Sequence, residues 1–92
     1  MMAVTVKIPT QLRAATGGVG VTNVEGATVS EVLDGLFAQF GELRERISDG
    51  EGGLRRFVNV YVGDEDIRFL DGVATRVADG AELTILPAVA GG

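Results

Sequence analysis

The sequence has no cysteine, no histidine and no tryptophan, two prolines, and one lysine, Lys7. Without cysteine no disulfide can brace the fold, so stability must come from apolar packing. Without cysteine or histidine the usual zinc ligand sets are excluded, and so is thiol or imidazole catalysis. Schiff-base chemistry has a single candidate in Lys7. An autonomous enzyme is not expected from this residue set. Positive charge is also scarce: eight basic residues stand against thirteen acidic ones, a formal net charge of −5. That balance argues against non-specific binding to nucleic acid or to an anionic membrane, both of which need a cationic footprint. It suits a partner with a basic docking surface. No stretch approaches the ~20 apolar residues of a membrane span. The start, Met1-Met2-Ala3-Val4-Thr5, has no basic region followed by a long apolar run. A soluble, cytoplasmic protein is the expectation.

What is present suffices for one small domain. The chain has 92 residues, 46% of them hydrophobic, enough for a modest core. Val4-Thr5-Val6-Lys7-Ile8 alternates with period two and predicts a strand with Val4, Val6 and Ile8 inward. Pro9 ends it. A loop with Gly17-Gly18 leads to a second strand over Val19 to Val24, giving a hairpin with a long connection. Thr28 followed by Glu31 forms a capping box. Behind it Val29, Val32, Leu33, Leu36, Phe37 and Phe40 make one helical stripe, which Gly41 should stop. Glu42 to Ser48 predicts a short extra helical piece, and Asp49 to Gly53 a loop. Phe57 to Val62 reads as a strand. A turn over Gly63 to Asp66 precedes a short strand at Ile67-Arg68-Phe69, and Asp71-Gly72 turns again. Val73 to Val77 crosses over, Ala78-Asp79-Gly80 turns, and Glu82 to Leu86 is the last strand. This order predicts an α+β fold of β-grasp (ubiquitin-like) layout: a mixed four- to five-stranded sheet with one main helix packed on one face. The last strand should lie parallel to the first in the middle of the sheet.

The sequence closes on Leu86-Pro87-Ala88-Val89-Ala90-Gly91-Gly92. Residues 1–87 are expected to form the domain and 88–92 a flexible tail that carries one carboxyl group outside it. Pro87 should end the strand's hydrogen bonding and fix the exit. The small residues Ala88, Val89, Ala90 and Gly91 suit a narrow channel, since a missing Cβ permits close backbone approach. Extended, that arm spans at most roughly 17 Å.

The β-grasp order, the run Asp79-Gly80-Ala81-Glu82-Leu83-Thr84-Ile85-Leu86-Pro87 and the closing Gly91-Gly92 resemble the ubiquitin-like sulfur carriers of the MoaD/ThiS group over nearly the whole chain. The stretch Arg56 to Val62, with Glu65-Asp66-Ile67-Arg68-Phe69, is similar to the actinobacterial carriers of thiocarboxylate-dependent cysteine synthesis. The resemblance implies that Gly92 is adenylated by an E1-like, ATP-using enzyme and converted to a thiocarboxylate. A downstream sulfur-accepting synthase then takes the sulfur. It implies a protein cosubstrate with no catalytic residues of its own, a monomer when free. ATP and its metal belong to the activating partner, because this chain has no phosphate-binding loop or metal cluster. An acyl-adenylate supplies the leaving group that a carboxylate lacks, and the product C(=O)–S⁻ needs no cysteine in the carrier.

Other features have plainer readings beside the functional ones. Phe57, Asn59 and Tyr61 alternate with Val58, Val60 and Val62. If the valines meet the helix, these three and Leu86 form a partner-docking patch; a reversed register or a covering loop would remove it. Asp64, Glu65 and Asp66 lack a full calcium-loop spacing and read as a solvated turn. Arg55 and Arg56 could meet acidic residues on a partner or simply end a solvated loop. Gly50, Gly52 and Gly53 form no nucleotide motif. A ubiquitin-like protein modifier, and a small subunit of a molybdopterin-synthase-like complex, are the competing functions. The final sulfur acceptor stays open: cysteine synthesis, thiazole, molybdopterin or another thio-metabolite.

Overall fold

A computed structural model describes residues 3–48, 50, 54–55 and 58–87. Five strands form one sheet. They are β1 (Ala3–Lys7), β2 (Val21–Glu25), β3 (Val58–Val62), β4 (Glu65–Asp66) and β5 (Glu82–Pro87), in the spatial order β2-β1-β5-β3-β4. β1 and β2 pair antiparallel, with Val6 opposite Thr22. β5 lies parallel to β1 and antiparallel to β3, as the placement of the last strand required. Helix α1 (Val29–Gln39) and the shorter α2 (Gly41–Ile47) follow the first hairpin. The α+β, mixed-sheet expectation holds, with five strands.

The period-two pattern sorts the side chains as read. Val4, Val6, Val58, Val60, Leu83 and Ile85 are buried from the sheet side, and Val29, Val32, Leu33, Leu36 and Phe37 from α1. At roughly 1.5–3 kcal/mol per buried large side chain, this interface is the main stabilising contact. The capping box forms with one change. Thr28 Oγ1 accepts the Glu31 amide at 3.2 Å, but the Glu31 carboxylate reaches back to the Ala27 amide, at 3.0 Å, rather than to that of Thr28.

Three local expectations are corrected. The long hairpin connection contains a 3-10 helix over Thr10–Thr16, which tucks Leu12 and Thr16 inward. α1 stops at Gln39 because Phe40 leaves helical geometry (φ −130°, ψ 85°); Gly41 does not end a helix but opens α2. Phe40 is half-buried against the core, so the stripe reaches it although the helix does not. Ile67–Phe69 is a 3-10 turn rather than a strand, and the short strand is Glu65–Asp66 just before it. A strand would put Ile67 and Phe69 on one face, whereas Ile67 is buried and Phe69 is exposed.

Candidate functional site

β5 is held on both sides, and its start is clamped. The Thr5 amide donates to the Ala81 carbonyl at 2.9 Å, Gly80 to Ala3 at 2.8 Å, and Gly63 to Glu82 at 2.9 Å. Gly80 (φ 84°) and Gly63 (φ 61°) take left-handed backbone at these corners, which a side chain would strain. Asp79 Oδ1 accepts the Ala3 amide at 2.9 Å. The strand pairs with β3 up to its last residue, Pro87 opposite Val58. Pro87 was expected to stand just after the strand. It sits within the ladder as the final rung, where it can offer a carbonyl but no N–H. The last described residue thus belongs to the central strand of the sheet. Ala88, Val89, Ala90, Gly91 and Gly92 lie outside the described residues, and so does Phe57.

The sheet face away from the helices carries Thr5, Lys7, Asn23, Glu82, Thr84, Leu86, Asn59 and Tyr61. Its β1–β2 side is mostly polar, with the exposed Val21 opposite Lys7 as the exception. Lys7 Nζ lies 3.0 Å from the Glu82 carboxylate, both half-exposed, and Thr5 Oγ1 lies 3.2 Å from Asn23 Oδ1. Its β3 side is more apolar. Leu86 pairs opposite Asn59, and Thr84 opposite Tyr61. Leu86 is 43% exposed, while Asn59 and Tyr61 are half-buried. The fold thus brings Asn59, Tyr61 and Leu86 onto one face beside the last rung of β5, with Val58 and Val60 on the opposite, buried face.

The acidic turn departs from the expectation. Asp64 and Glu65 are exposed, but Asp66 is 7% exposed and bound to Arg68. Its carboxylate accepts the Arg68 amide at 2.9 Å, Nε at 3.1 Å and NH2 at 2.7 Å. The Arg68 side-chain hydrogen bonds, then the bond from its backbone amide, hold the Asp66 carboxyl below its ordinary range despite burial. Arg68 is raised in turn, mainly by the Asp66 hydrogen bond. The signal was present in the sequence as Asp-Ile-Arg, where an aspartate can cap the amide two residues on. Sequence reasoning also passed over Phe69, which is 85% exposed at the end of this turn. Arg55 donates to the Glu45 carbonyl at 2.7 Å, and Arg56 lies outside the described residues. Among the described residues no cluster of acidic side chains is placed to hold a metal ion.

Comparison with known proteins gives one consistent answer. The profile of the ThiS family matches residues 6–92. The sulfur carrier protein CysO of Mycobacterium tuberculosis (strain H37Rv) is 52% identical over 93 residues, covering 99% of this chain and all of the relative. The structure superposes on a chain of the Amycolatopsis orientalis BexX/CysO complex with a TM-score of 0.89 at 50% identity, over 97% of this chain and 99% of that one. Small archaeal modifier protein 1 of Methanosarcina acetivorans matches with a TM-score of 0.86 at 32% identity, over 100% of this chain and 98% of that one. With all of its β-grasp body after residue 5 and the Leu-Pro exit of β5 inside the matched span, the chain belongs to the ThiS family of ubiquitin-like carriers.

Proposed function

We propose that this chain is a sulfur carrier, a protein cosubstrate whose reacting group is the Gly92 carboxyl. In the first step that carboxylate attacks the α-phosphorus of ATP on an E1-like partner, and pyrophosphate leaves. Sulfide-level sulfur (HS⁻) then attacks the carbonyl carbon of the acyl-adenylate, AMP leaves with its electron pair, a proton is lost, and the terminus becomes C(=O)–S⁻. A downstream synthase uses that sulfur as a nucleophile, and hydrolysis of the remaining acyl bond restores the carboxylate. ATP and its metal are the partner's. The work takes place in the cytoplasm, and cysteine synthesis is the preferred outlet, given the likeness to the mycobacterial carrier.

The observation that carries this reading is the placement of β5. The chain's exit is the central strand of the sheet, laddered to β1 over Glu82–Thr84 and to β3 up to Pro87, so a force on the tail is met by the sheet. Pro87, Ala88, Val89, Ala90 and Gly91 thread the partner's channel, while Phe57, Asn59, Tyr61 and Leu86 dock the body. The deciding measurement is the intact mass of the chain purified from its native cell under sulfur supply. Replacement of one oxygen by one sulfur at the C-terminal residue is expected. A ladder of covalent protein adducts without that exchange would overturn the carrier in favour of a modifier, the reading favoured by the likeness to the archaeal modifier protein.

A further inference from the structure

Phe69 is 85% exposed, the most open large hydrophobic side chain among the described residues. Its position is not that of a loose loop. Ile67, two residues earlier, is buried at 2% exposure and pins the turn to the core. The Leu70 amide closes the turn on the Ile67 carbonyl at 3.0 Å. Asp66 caps the turn and grips the Arg68 guanidinium through both carboxylate oxygens. Beyond it the Asp71 amide donates to Thr75 Oγ1 at 3.0 Å, and that hydroxyl donates to the Gly72 carbonyl at 2.6 Å. A 3-10 turn spaces successive side chains a third of a revolution apart. With Ile67 inward, Arg68 and Phe69 are both turned to solvent.

The surroundings set the chemistry of what covers the ring. A shallow groove of about 480 Å³ runs beside Phe69, lined by Tyr61, Asp64, Glu65, Asp66 and Arg68. Arg68 is the cation of this lining, and its charge is matched by Asp66 at 2.7 Å. The exposed Asp64 and Glu65, with Asp71 on the far side of the turn, leave the rim net negative. Tyr61 connects the groove to the open sheet face. A ring held out rigidly carries little ordering penalty on binding, which is what makes aromatic anchors effective.

We infer that Phe69 is a docking anchor that inserts into an apolar socket rimmed by lysine or arginine on the enzyme that activates the carrier's carboxyl. The inference rests on the sulfur-carrier reading. Under that reading the tail offers an enzyme only small side chains to hold, so affinity must come from the body. An acidic rim around an aromatic knob selects a basic rim around a cavity.

The test is ATP–pyrophosphate exchange by the organism's own E1-like adenylating enzyme, with the full-length carrier as the varied substrate. The surface substitution Phe69→Ala is expected to raise KM at least about tenfold and to leave kcat within about twofold, the pattern of lost uniform binding. Phe69→Leu should recover most of the difference, and unchanged thermal melts will show that both variants fold. The wild-type KM should rise with salt, and less steeply in the Asp64→Asn/Glu65→Gln double variant. A Phe69→Ala carrier with the wild-type KM would overturn the anchor while leaving the carrier function intact. A KM raised only for the downstream synthase would overturn the assignment to the activating enzyme. Wild-type carrier that supports no exchange would overturn the carrier reading, and the anchor with it, before any variant is compared.

Discussion

Asp66 shows how one side chain can organise a turn. Its carboxylate lies under the turn it caps and accepts from the Arg68 amide and guanidinium. Those bonds favour the charged form, so its pKa is lowered from the ordinary 3.8. The stabilisation is therefore complete above that ordinary value and is lost as pH falls through the lower folded value. Asp66→Asn removes the charged acceptor. The variant should melt below the wild type at neutral pH, and the gap should close as the pH is lowered from about 4. Thermal melts across that range check this; a gap that stays constant to low pH would show that the pair contributes nothing through ionisation. Lys7 and Glu82 form a half-exposed pair at 3.0 Å, which contributes about 0–1 kcal/mol at most.

Helix α1 and strand β2 meet at Gly35. Alanine in mid-helix ordinarily gains about 1 kcal/mol over glycine. Here a Cβ on Gly35 would stand 2.6 Å from Val24 Cγ1. Val24 is buried, and its branched side chain has one stiff torsion. The helix would have to lift from the sheet edge, at an overpacking cost of about 1–3 kcal/mol. Gly35→Ala is therefore expected to destabilise the protein despite its better helix propensity, as urea unfolding would reveal. A gain in stability would mean that α1 sits farther from β2 than described. The same contact explains a glycine in the middle of an otherwise regular helix. The helical stripe itself was legible because its spacing is local; its neighbour on β2 was not.

At the scale of the molecule, the body serves as a handle for its exit strand. With a net charge of −5 and a central β5, the protein offers an acidic body in which Pro87, the root of the proposed arm, is fixed in the sheet. The proposed chemistry needs the carboxyl at one distance from that root. One residue added after Gly92 should abolish ATP–pyrophosphate exchange and leave the melting temperature unchanged, because the sheet's last rung is Pro87, five residues before Gly92. Normal exchange by such an extended chain would sink the carboxyl-activation mechanism. No helix among the described residues is long and apolar enough to cross a membrane.

The sequence by itself determined the elements whose signals are local. Period two in Val4 to Ile8 and in Val58 to Val62, and spacings of three and four in Val29 to Phe37, set which side chains are buried. The order of those elements was enough to place the last strand parallel to the first in the middle of the sheet, because the strand after the helix needs a crossover; that β3 is its other neighbour came from the fold. Tertiary structure decided what local signals cannot weigh. Ile67 could read as a strand or a turn residue until the core claimed it, and the turn that followed left Phe69 outside. Phe40 broke one helix and Gly41 began another because the chain had to bend around the core. Asp66 looked like one more solvated acid until burial put it against Arg68. Its character, like that of the exposed ring beside it, depends on which groups are brought within hydrogen-bond distance, and only the packed fold sets those distances.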